Sequence, residues 1–156
     1  TKVLHYLEVL RDVIGWDNVK KAVKNPFKGK KIGAYYGCLL LRPGKVMEFD
    51  DPENPKILED FITAIGGTPV IYAQRNECCG AYAAFEDETI PQKRAASILA
   101  NAADMGADFL VTSCPLCRYN LIKNKGSSEL DVIYFTELLA EALGVKDAVA
   151  KEAVNA

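Results

Sequence analysis

The stretch "ADFLVTSCPLCRYN" (residues 107–120) places an apolar strand directly before a helix. Residues 107–113 have the composition of a buried strand. A helix is predicted from Pro115 to about Asn124, because proline suits the first helical position. A strand that runs straight into a helix is typical of proteins in which helices cover a parallel sheet. This stretch therefore predicts an α/β fold.

The same alternation of strands and helices extends along the chain. Further strands are predicted in "KIGAYYG" (residues 31–37), "TPVIYA" (68–73) and "DVIYFT" (131–136). Helices are predicted over residues 54–67, 89–105 and 136–144. The connections are long enough for the crossovers that parallel strands require. We therefore expect an α/β fold with a four-stranded, mainly parallel sheet, helices on both faces, and the strand order 2-1-3-4 of the doubly wound pattern.

The apolar spacing also predicts which faces two of these helices bury. The helix over residues 54–67 has one apolar face, formed by Ile57, Leu58, Phe61, Ile62 and Ile65. The longer helix over residues 89–105 is expected to bury Ile90, Ala96, Leu99 and Ala103.

The whole chain, residues 1–156, is expected to form a single domain. Its parts are a helical lead-in over residues 1–25, an α/β core over residues 30–144, and a C-terminal helix over residues 145–156. In the lead-in, "VLHYLEVLRDVIG" has the spacing of one helix face, and a second short helix is predicted from Asp17 as N-cap to about Lys24. A chain of this length buries enough surface to fold without disulfide bonds.

Composition excludes several functional classes. The residues are 49% hydrophobic and 26% charged, and 19 basic against 21 acidic side chains leave a formal net charge of −2. This balance gives no general electrostatic reason to expect nucleic acid or an anionic membrane as a partner. No apolar run reaches the ~20 residues of a membrane span, and the start of the chain shows no signal-peptide pattern. We therefore expect a cytoplasmic protein, or one peripheral to a membrane complex.

The five cysteines follow the predicted strands. Cys38 comes directly after the first strand, Cys78 and Cys79 come shortly after the second, and Cys114 ends the third, with Cys117 one helical turn later. Because the carboxyl ends of parallel strands lie along one edge of a sheet, these cysteines are expected to converge there. An odd number of cysteines cannot pair completely within the chain, so metal binding or thiol chemistry is favoured over a set of disulfides.

The sequence Cys78–Cys79–Gly80 limits which ligand can be bound. Adjacent residues in a tight turn point their sulfurs in different directions, and Gly80 permits a positive φ. A cofactor with several metal atoms can use both thiolates, whereas a single zinc ion needs an awkward backbone to do so. Cys114 and Cys117 have i, i+3 spacing at a helix start, where free N–H groups and the helix dipole favour thiolates.

Three other interpretations of the cysteines remain open at this point. Buried cysteines commonly act as small apolar side chains. Cys114 and Cys117 can form a redox dithiol, which leaves Cys38, Cys78 and Cys79 without a role. Four of the five thiolates can close a tetrahedral zinc site, which leaves one cysteine over.

The order Cys38, Cys78–Cys79–Gly80, Cys114-x-x-Cys117 resembles the cysteine-rich CCG domain of heterodisulfide reductase, which occurs twice in one subunit of that enzyme. That family also includes related subunits of succinate dehydrogenases and thiol-dependent fumarate reductases. The segments "YYGCLLLRP" (residues 35–43) and "FDDPENP" (residues 49–55) resemble the second, C-terminal of the two CCG domains, and "HYLEVL" (residues 5–10) resembles the helix leading into it.

The resemblance implies an electron-transfer and disulfide-reducing subunit. In that family a complete CCG domain holds a non-cubane [4Fe-4S] cluster on five thiolates, which here would be Cys38, Cys78, Cys79, Cys114 and Cys117. The implied partners are a second CCG domain or chain, Fe-S or flavoprotein subunits of a redox complex, and a disulfide or other small-molecule acceptor. Because the family's reaction uses two such domains, an isolated domain is expected to be inactive alone. The alternative is a structural zinc-binding domain that docks to a partner subunit, for example of a succinate dehydrogenase.

Charged residues in two parts of the chain also have predicted roles. Arg75 and Arg118 flank cysteine motifs and can offset the charge of an anionic cluster. Asp50 and Asp51, with Pro52 and Pro55, indicate a turn and a helix start rather than a carboxylate metal site.

Overall fold

The computed structural model describes residues 3–145, and its centre is a sheet of four short strands. The strands are β1 Lys31–Tyr35, β2 Thr68–Val70, β3 Phe109–Thr112 and β4 Val132–Tyr134. They are parallel throughout and lie in the order β2-β1-β3-β4. The predicted α/β class and strand order are therefore confirmed.

The register aligns the carboxyl ends of the central strands. Gly33 of β1 lies opposite Val70 of β2 on one side and Leu110 of β3 on the other. At the end of the sheet that carries the cysteines, Thr112 of β3 lies between Tyr35 of β1 and Tyr134 of β4. The loops that follow these strands therefore start from one edge.

Seven α-helices lie within residues 3–145. They are α1 Tyr6–Glu8, α2 Trp16–Ala22, α3 Gly44–Met47, α4 Ile57–Ala64, α5 Thr89–Asp104, α6 Pro115–Lys123 and α7 Phe135–Ala142. A π-helical segment, Val9–Ile14, continues α1, and short 3₁₀ turns occur at Ala73–Asn76 and Ala81–Phe85. None of the helices within residues 3–145 has the length and apolar character of a membrane span.

Two hydrophobic cores lie on opposite faces of the sheet. Strand side chains alternate, so Ile32 and Ala34 enter one core and Tyr35 enters the other. The first core is completed by α1, α2, α4 and α7, and the second by α5 and α6. This arrangement confirms helices on both faces. The predicted apolar face of α4 is also confirmed, because all five of its apolar residues are buried.

The predicted face of α5 is largely wrong. The buried residues of this helix are Pro91, Ala95, Ile98, Leu99 and Ala102. Of the predicted set only Leu99 is buried, and Ile90, Ala96 and Ala103 are exposed. The reason is that alanines occupy neighbouring positions around the helix, so their spacing does not distinguish one face from the next.

In the helical lead-in, the second helix starts earlier than predicted. α2 starts at Trp16 after Gly15, whose φ of 81° ends the preceding helix, so Asp17 lies in the first turn and is not the N-cap. His5 caps α1 by accepting a hydrogen bond from the backbone N–H of Leu7, and its ring stacks on Phe135. The predicted C-terminal helix over residues 145–156 lies, from residue 146 onward, outside the described residues.

Candidate functional site

All five cysteines line one small cavity at the carboxyl edge of the sheet. The cavity has a volume of about 40 Å³, and its other walls are Tyr36, Leu39, Leu40, Ala81, Tyr82 and Leu116. The five thiols are free, and Cys79 and Cys117 are buried. The structure thus brings together every cysteine that the sequence placed at a strand end.

Each cysteine is held by a different local structure. Cys38 lies in the turn after β1. Cys78 and Cys79 belong to residues 75–80, the cysteine turn, which follows β2. Cys114 is the N-cap of α6, where its sulfur accepts a hydrogen bond from the backbone N–H of Cys117 at 3.3 Å, and Pro115 takes the first helical position. The sulfur therefore takes the place that a serine or aspartate oxygen occupies at most helix starts.

The two adjacent cysteines point to different partners. The Cys78 sulfur lies 3.6 Å from that of Cys38, and the Cys79 sulfur lies 3.7 Å from that of Cys117. Both sulfur–sulfur distances are far longer than the ~2.05 Å of a disulfide bond. Gly80 has a φ of 77°, and its N–H donates to the Cys78 sulfur at 3.3 Å. The expected divergence of the Cys78 and Cys79 sulfurs is present in the structure.

The donor set fits a cofactor with more than one metal atom. A tetrahedral ion with sulfur ligands at ~2.3 Å separates two of them by about 3.8 Å, close to the 3.6 and 3.7 Å of the two pairs. Each pair can therefore hold a metal atom, and both pairs face one cavity. Within residues 3–145, no three histidine, cysteine, aspartate or glutamate side chains are grouped as ligands of a single ion. Thiolates are the expected ligands of Fe–S clusters.

The thiols differ in their affinity for a proton. Hydrogen bonds with Cys114 and Cys79 raise the pKa of Cys117, with burial adding to the effect. The hydrogen bond with Cys117 lowers the pKa of Cys79 to about 6, and also lowers the pKa of Cys114 to about 6. Burial, and then the hydrogen bond with Cys78, raise the pKa of Cys38 to about 11. At neutral pH Cys79 and Cys114 are the sulfurs favoured as thiolates, the form that binds metals.

The arginines near the cysteines have protein partners. The Arg75 Nε lies 3.1 Å from a carboxylate oxygen of Glu59, and both side chains are buried. The Arg118 Nε donates to the carbonyl oxygen of Val132 at 3.1 Å. The structure thus gives the guanidinium groups a role in holding the fold.

The predicted helix start near Asp50 is confirmed, because the Asp50 carboxylate accepts hydrogen bonds from the backbone N–H groups at the start of α4.

A buried polar network behind the cavity was missed in the sequence. Tyr36, which lines the cavity, donates a hydrogen bond from its hydroxyl to the Glu59 carboxylate, and that hydroxyl accepts from the N–H of Leu58 at 3.0 Å. Burial raises the pKa of Glu59 above its usual range. The signal available in the sequence was a charged residue between Leu58 and Phe61, on the apolar side of α4.

Gly37 allows the end of β1 to approach Cys117, and replacing it tests that approach. Its φ is 68°, and an added Cβ would lie 2.9 Å from the Cys117 sulfur. Gly37→Ala is therefore expected to lower the free energy of unfolding. The matched control is Gly29→Ala, where φ is 76° and nothing lies within 4 Å.

The control shares the left-handed backbone, which costs roughly 1–2 kcal/mol for a residue with a Cβ. Gly37→Ala is expected to cost about 1 kcal/mol more than the control, because the sulfur must move. Urea unfolding of both variants measures the difference. Equal losses in the two variants would mean that contact with Cys117 does not matter.

Comparison with known proteins identifies the family of this site. The family model for the cysteine-rich CCG domain matches residues 32–122, a range that includes all five cysteines. The 8-methylmenaquinol:fumarate reductase membrane anchor subunit of Wolinella succinogenes is 31% identical over 137 residues, which is 83% of this chain and 48% of that protein.

Two Methanosarcina proteins are similar over more of the chain. A subunit of the ferredoxin/F(420)H(2)-dependent CoB-CoM heterodisulfide reductase of Methanosarcina acetivorans is 27% identical, over 92% of this chain and 51% of that protein. A subunit of the dihydromethanophenazine:CoB–CoM heterodisulfide reductase of Methanosarcina mazei is 30% identical, over 93% of this chain and 35% of that protein. The chain spans about half the length of the first of these relatives. The resemblance noted in the sequence is confirmed, and the chain belongs to the CCG cysteine-rich domain family.

Proposed function

We propose that this chain is an Fe-S electron-transfer subunit, or a piece of one, that takes part in reducing a disulfide or a similar small molecule. The proposed cofactor is a non-cubane [4Fe-4S] cluster held by Cys38, Cys78, Cys79, Cys114 and Cys117. The observation that carries the proposal is the division of the adjacent Cys78 and Cys79 between two sulfur pairs that face one cavity. The similarity to subunits of heterodisulfide and fumarate reductases supports it.

The protein's part in this function is to supply thiolates in a fixed and partly buried setting. A bound cluster supplies a centre that gains and loses electrons, at a potential set by hydrogen bonds and solvent exposure. The lowered pKa values of Cys79 and Cys114 keep these two sulfurs ready as ligands at neutral pH. Leu39, Leu40 and Leu116 form an apolar part of the cavity wall, and Leu39 and Leu116 also reach the surface.

A partner domain is part of the proposal. The exposed apolar side chains close to the cavity in sequence or space include Leu39, Tyr82, Phe85, Leu116 and Tyr119, and Phe85 is 95% exposed. Exposed apolar side chains in such number mark interaction sites on protein surfaces. Because the chain spans about half the length of its first relatives, we propose that a second CCG domain or chain covers this surface. Association with a membrane complex would then occur through partner subunits.

The metal content tests the proposed cofactor. Protein purified without oxygen, from cells supplied with iron, is expected to contain about four iron atoms and four acid-labile sulfides per chain. An EPR spectrum of the reduced or oxidised protein should show a paramagnetic Fe-S centre. About one zinc ion and no sulfide, despite the iron supply, would contradict the proposal and favour a structural zinc domain.

A second candidate function is a thiol oxidoreductase that uses Cys114 and Cys117. One observation favours it: Cys114 caps a helix with a pKa lowered to about 6, beside a second cysteine one turn later. In that case metal-free protein would reduce a model disulfide, and its rate would survive replacement of Cys38. Loss of all activity together with the metal would exclude this function.

A further inference from the structure

We propose that Asn120, Arg42 and Tyr35 are positioning residues that hold the cysteine turn, residues 75–80, against the other three cysteines. In this arrangement Asn120 sets the spacing of Cys79 and Cys117, and Arg42 sets the spacing of Cys38 and Cys78. The proposal rests on the proposed function, since it assumes that the cysteines act as one site, and it deepens that function.

Three backbone carbonyls of the cysteine turn accept hydrogen bonds from side chains. The carbonyl oxygen of Asn76 accepts from Arg42 Nη1 at 3.0 Å, and that of Glu77 accepts from the Tyr35 hydroxyl at 2.8 Å. The carbonyl oxygen of Cys79 accepts from Asn120 Nδ2 at 2.9 Å. Loop carbonyls usually face water, so three such bonds in four consecutive residues restrain the turn strongly.

Each donor comes from a part of the chain that carries another cysteine. Tyr35 ends β1, three residues before Cys38, and Arg42 follows Cys38 by four residues. The backbone N–H of Arg42 also donates to the carbonyl oxygen of Cys38 at 3.1 Å. Movement of the Cys38 loop relative to Cys78 is therefore opposed by the Arg42 side chain and its bonds.

Asn120 acts in the same way on the other sulfur pair. It lies on α6, three residues after Cys117, and is only 4% exposed. Its side-chain oxygen accepts a hydrogen bond from Asn124 Nδ2 at 2.9 Å, which directs the amide nitrogen toward Cys79. One residue thus joins the backbone of Cys79 to the helix that carries Cys117, while their sulfurs lie 3.7 Å apart.

The test is pair-specific cross-linking of reduced, metal-free protein in the absence of oxygen. Dibromobimane, which becomes fluorescent when it bridges two thiols, is added, and peptide mapping identifies the bridged pairs. The wild-type protein is expected to give both Cys38–Cys78 and Cys79–Cys117 cross-links. Asn120→Leu is expected to slow the Cys79–Cys117 cross-link about tenfold, as loss of a buried hydrogen bond that leaves a carbonyl unsatisfied would do. The Cys38–Cys78 rate should stay within about twofold.

Arg42→Met should produce the reverse pattern, slowing the Cys38–Cys78 cross-link and leaving the other within about twofold. Asn18→Leu is the control, since it removes an exposed amide-to-carbonyl hydrogen bond, to Ile14, at a helix that carries no cysteine. Both rates should be unchanged in this control. Tyr35→Phe keeps the ring and loses only the bond to Glu77, so it tests the same turn if Asn120→Leu fails to fold. It should slow both cross-links about threefold.

If Asn120→Leu and Arg42→Met each slowed both cross-links to the same extent, the proposal would be overturned, because a general loss of stability affects both cysteine pairs equally. Unchanged rates in the folded variants, Tyr35→Phe included, would overturn it as well. Since no iron is needed, these outcomes do not depend on the metal content that tests the proposed function.

Discussion

Replacing Cys79 by serine is expected to remove at least about nine tenths of the iron and acid-labile sulfide that the wild-type protein binds. The Cys79 sulfur is buried, and its lowered pKa of about 6 makes it a thiolate at neutral pH. A serine hydroxyl keeps its proton at that pH and is a much poorer ligand for iron. The loss should be this large because Cys79 holds one of the two sulfur pairs, and Cys117 would be left without its partner. Iron and sulfide analysis of anaerobically purified protein measures the effect.

The matched control for this substitution is Ser113→Ala. Ser113 is buried next to Cys114, and its hydroxyl has no hydrogen-bond partner among the described residues. Its replacement changes a side chain at the same edge of the sheet without removing a sulfur, so iron and sulfide should remain at wild-type levels. If Cys79→Ser bound as much iron as Ser113→Ala, the five-cysteine ligand set would be wrong.

Arg75→Met is expected to lower the free energy of unfolding by about 3–5 kcal/mol, the usual loss when one partner of a buried ion pair is removed. The substitution leaves the Glu59 carboxylate buried with Tyr36 as its remaining partner. Urea unfolding at neutral pH measures the loss. The double variant Glu59→Met, Arg75→Met should be considerably more stable than Arg75→Met, because it contains no uncompensated charge. A double variant as unstable as the single one would show that packing, and not charge, decides the effect.

The loss in Arg75→Met should also depend on pH. Burial already raises the pKa of Glu59 in the folded protein above its unfolded value. A carboxyl with a raised folded-state pKa stabilises the fold only while it is protonated, so stability falls as the pH rises above the unfolded value of about 4.3. The difference between Arg75→Met and the wild type should therefore be smaller near pH 4 than at pH 7. An equal difference at both pH values would contradict the role of the Glu59 charge.

The fold was predictable where apolar spacing carried the information. The four strands and the buried face of α4 follow from short apolar runs and from residues such as Phe61 and Ile62 at helical spacing. The face of α5 was not predictable in the same way, because Ala95 and Ala96 differ in burial but not in chemistry. Packing against the sheet decides between them, and that contact is not visible in a local pattern.

The convergence of the cysteines was predictable for a topological reason, since parallel strands end at one edge. Which sulfurs lie close together was not predictable, because that depends on the path of the loops that carry Cys38 and Cys78. The side chains that hold those loops were equally hidden. Asn120 and Arg42 donate to backbone carbonyls, and the sequence gives no sign of which carbonyl a side chain will meet.

The outer strands of the sheet limit how this domain can associate with other chains. β2 and β4 each have only three residues, and β2 contains Pro69, which has no N–H to donate. Short edges with a proline are poor templates for strand addition and protect a protein from aggregation through exposed backbone. A partner therefore gains little by extending the sheet sideways. The partner proposed above is therefore expected to contact side-chain surfaces, such as the loops beside Leu39 and Phe85. In this way the short edges would favour one mode of association while they oppose others.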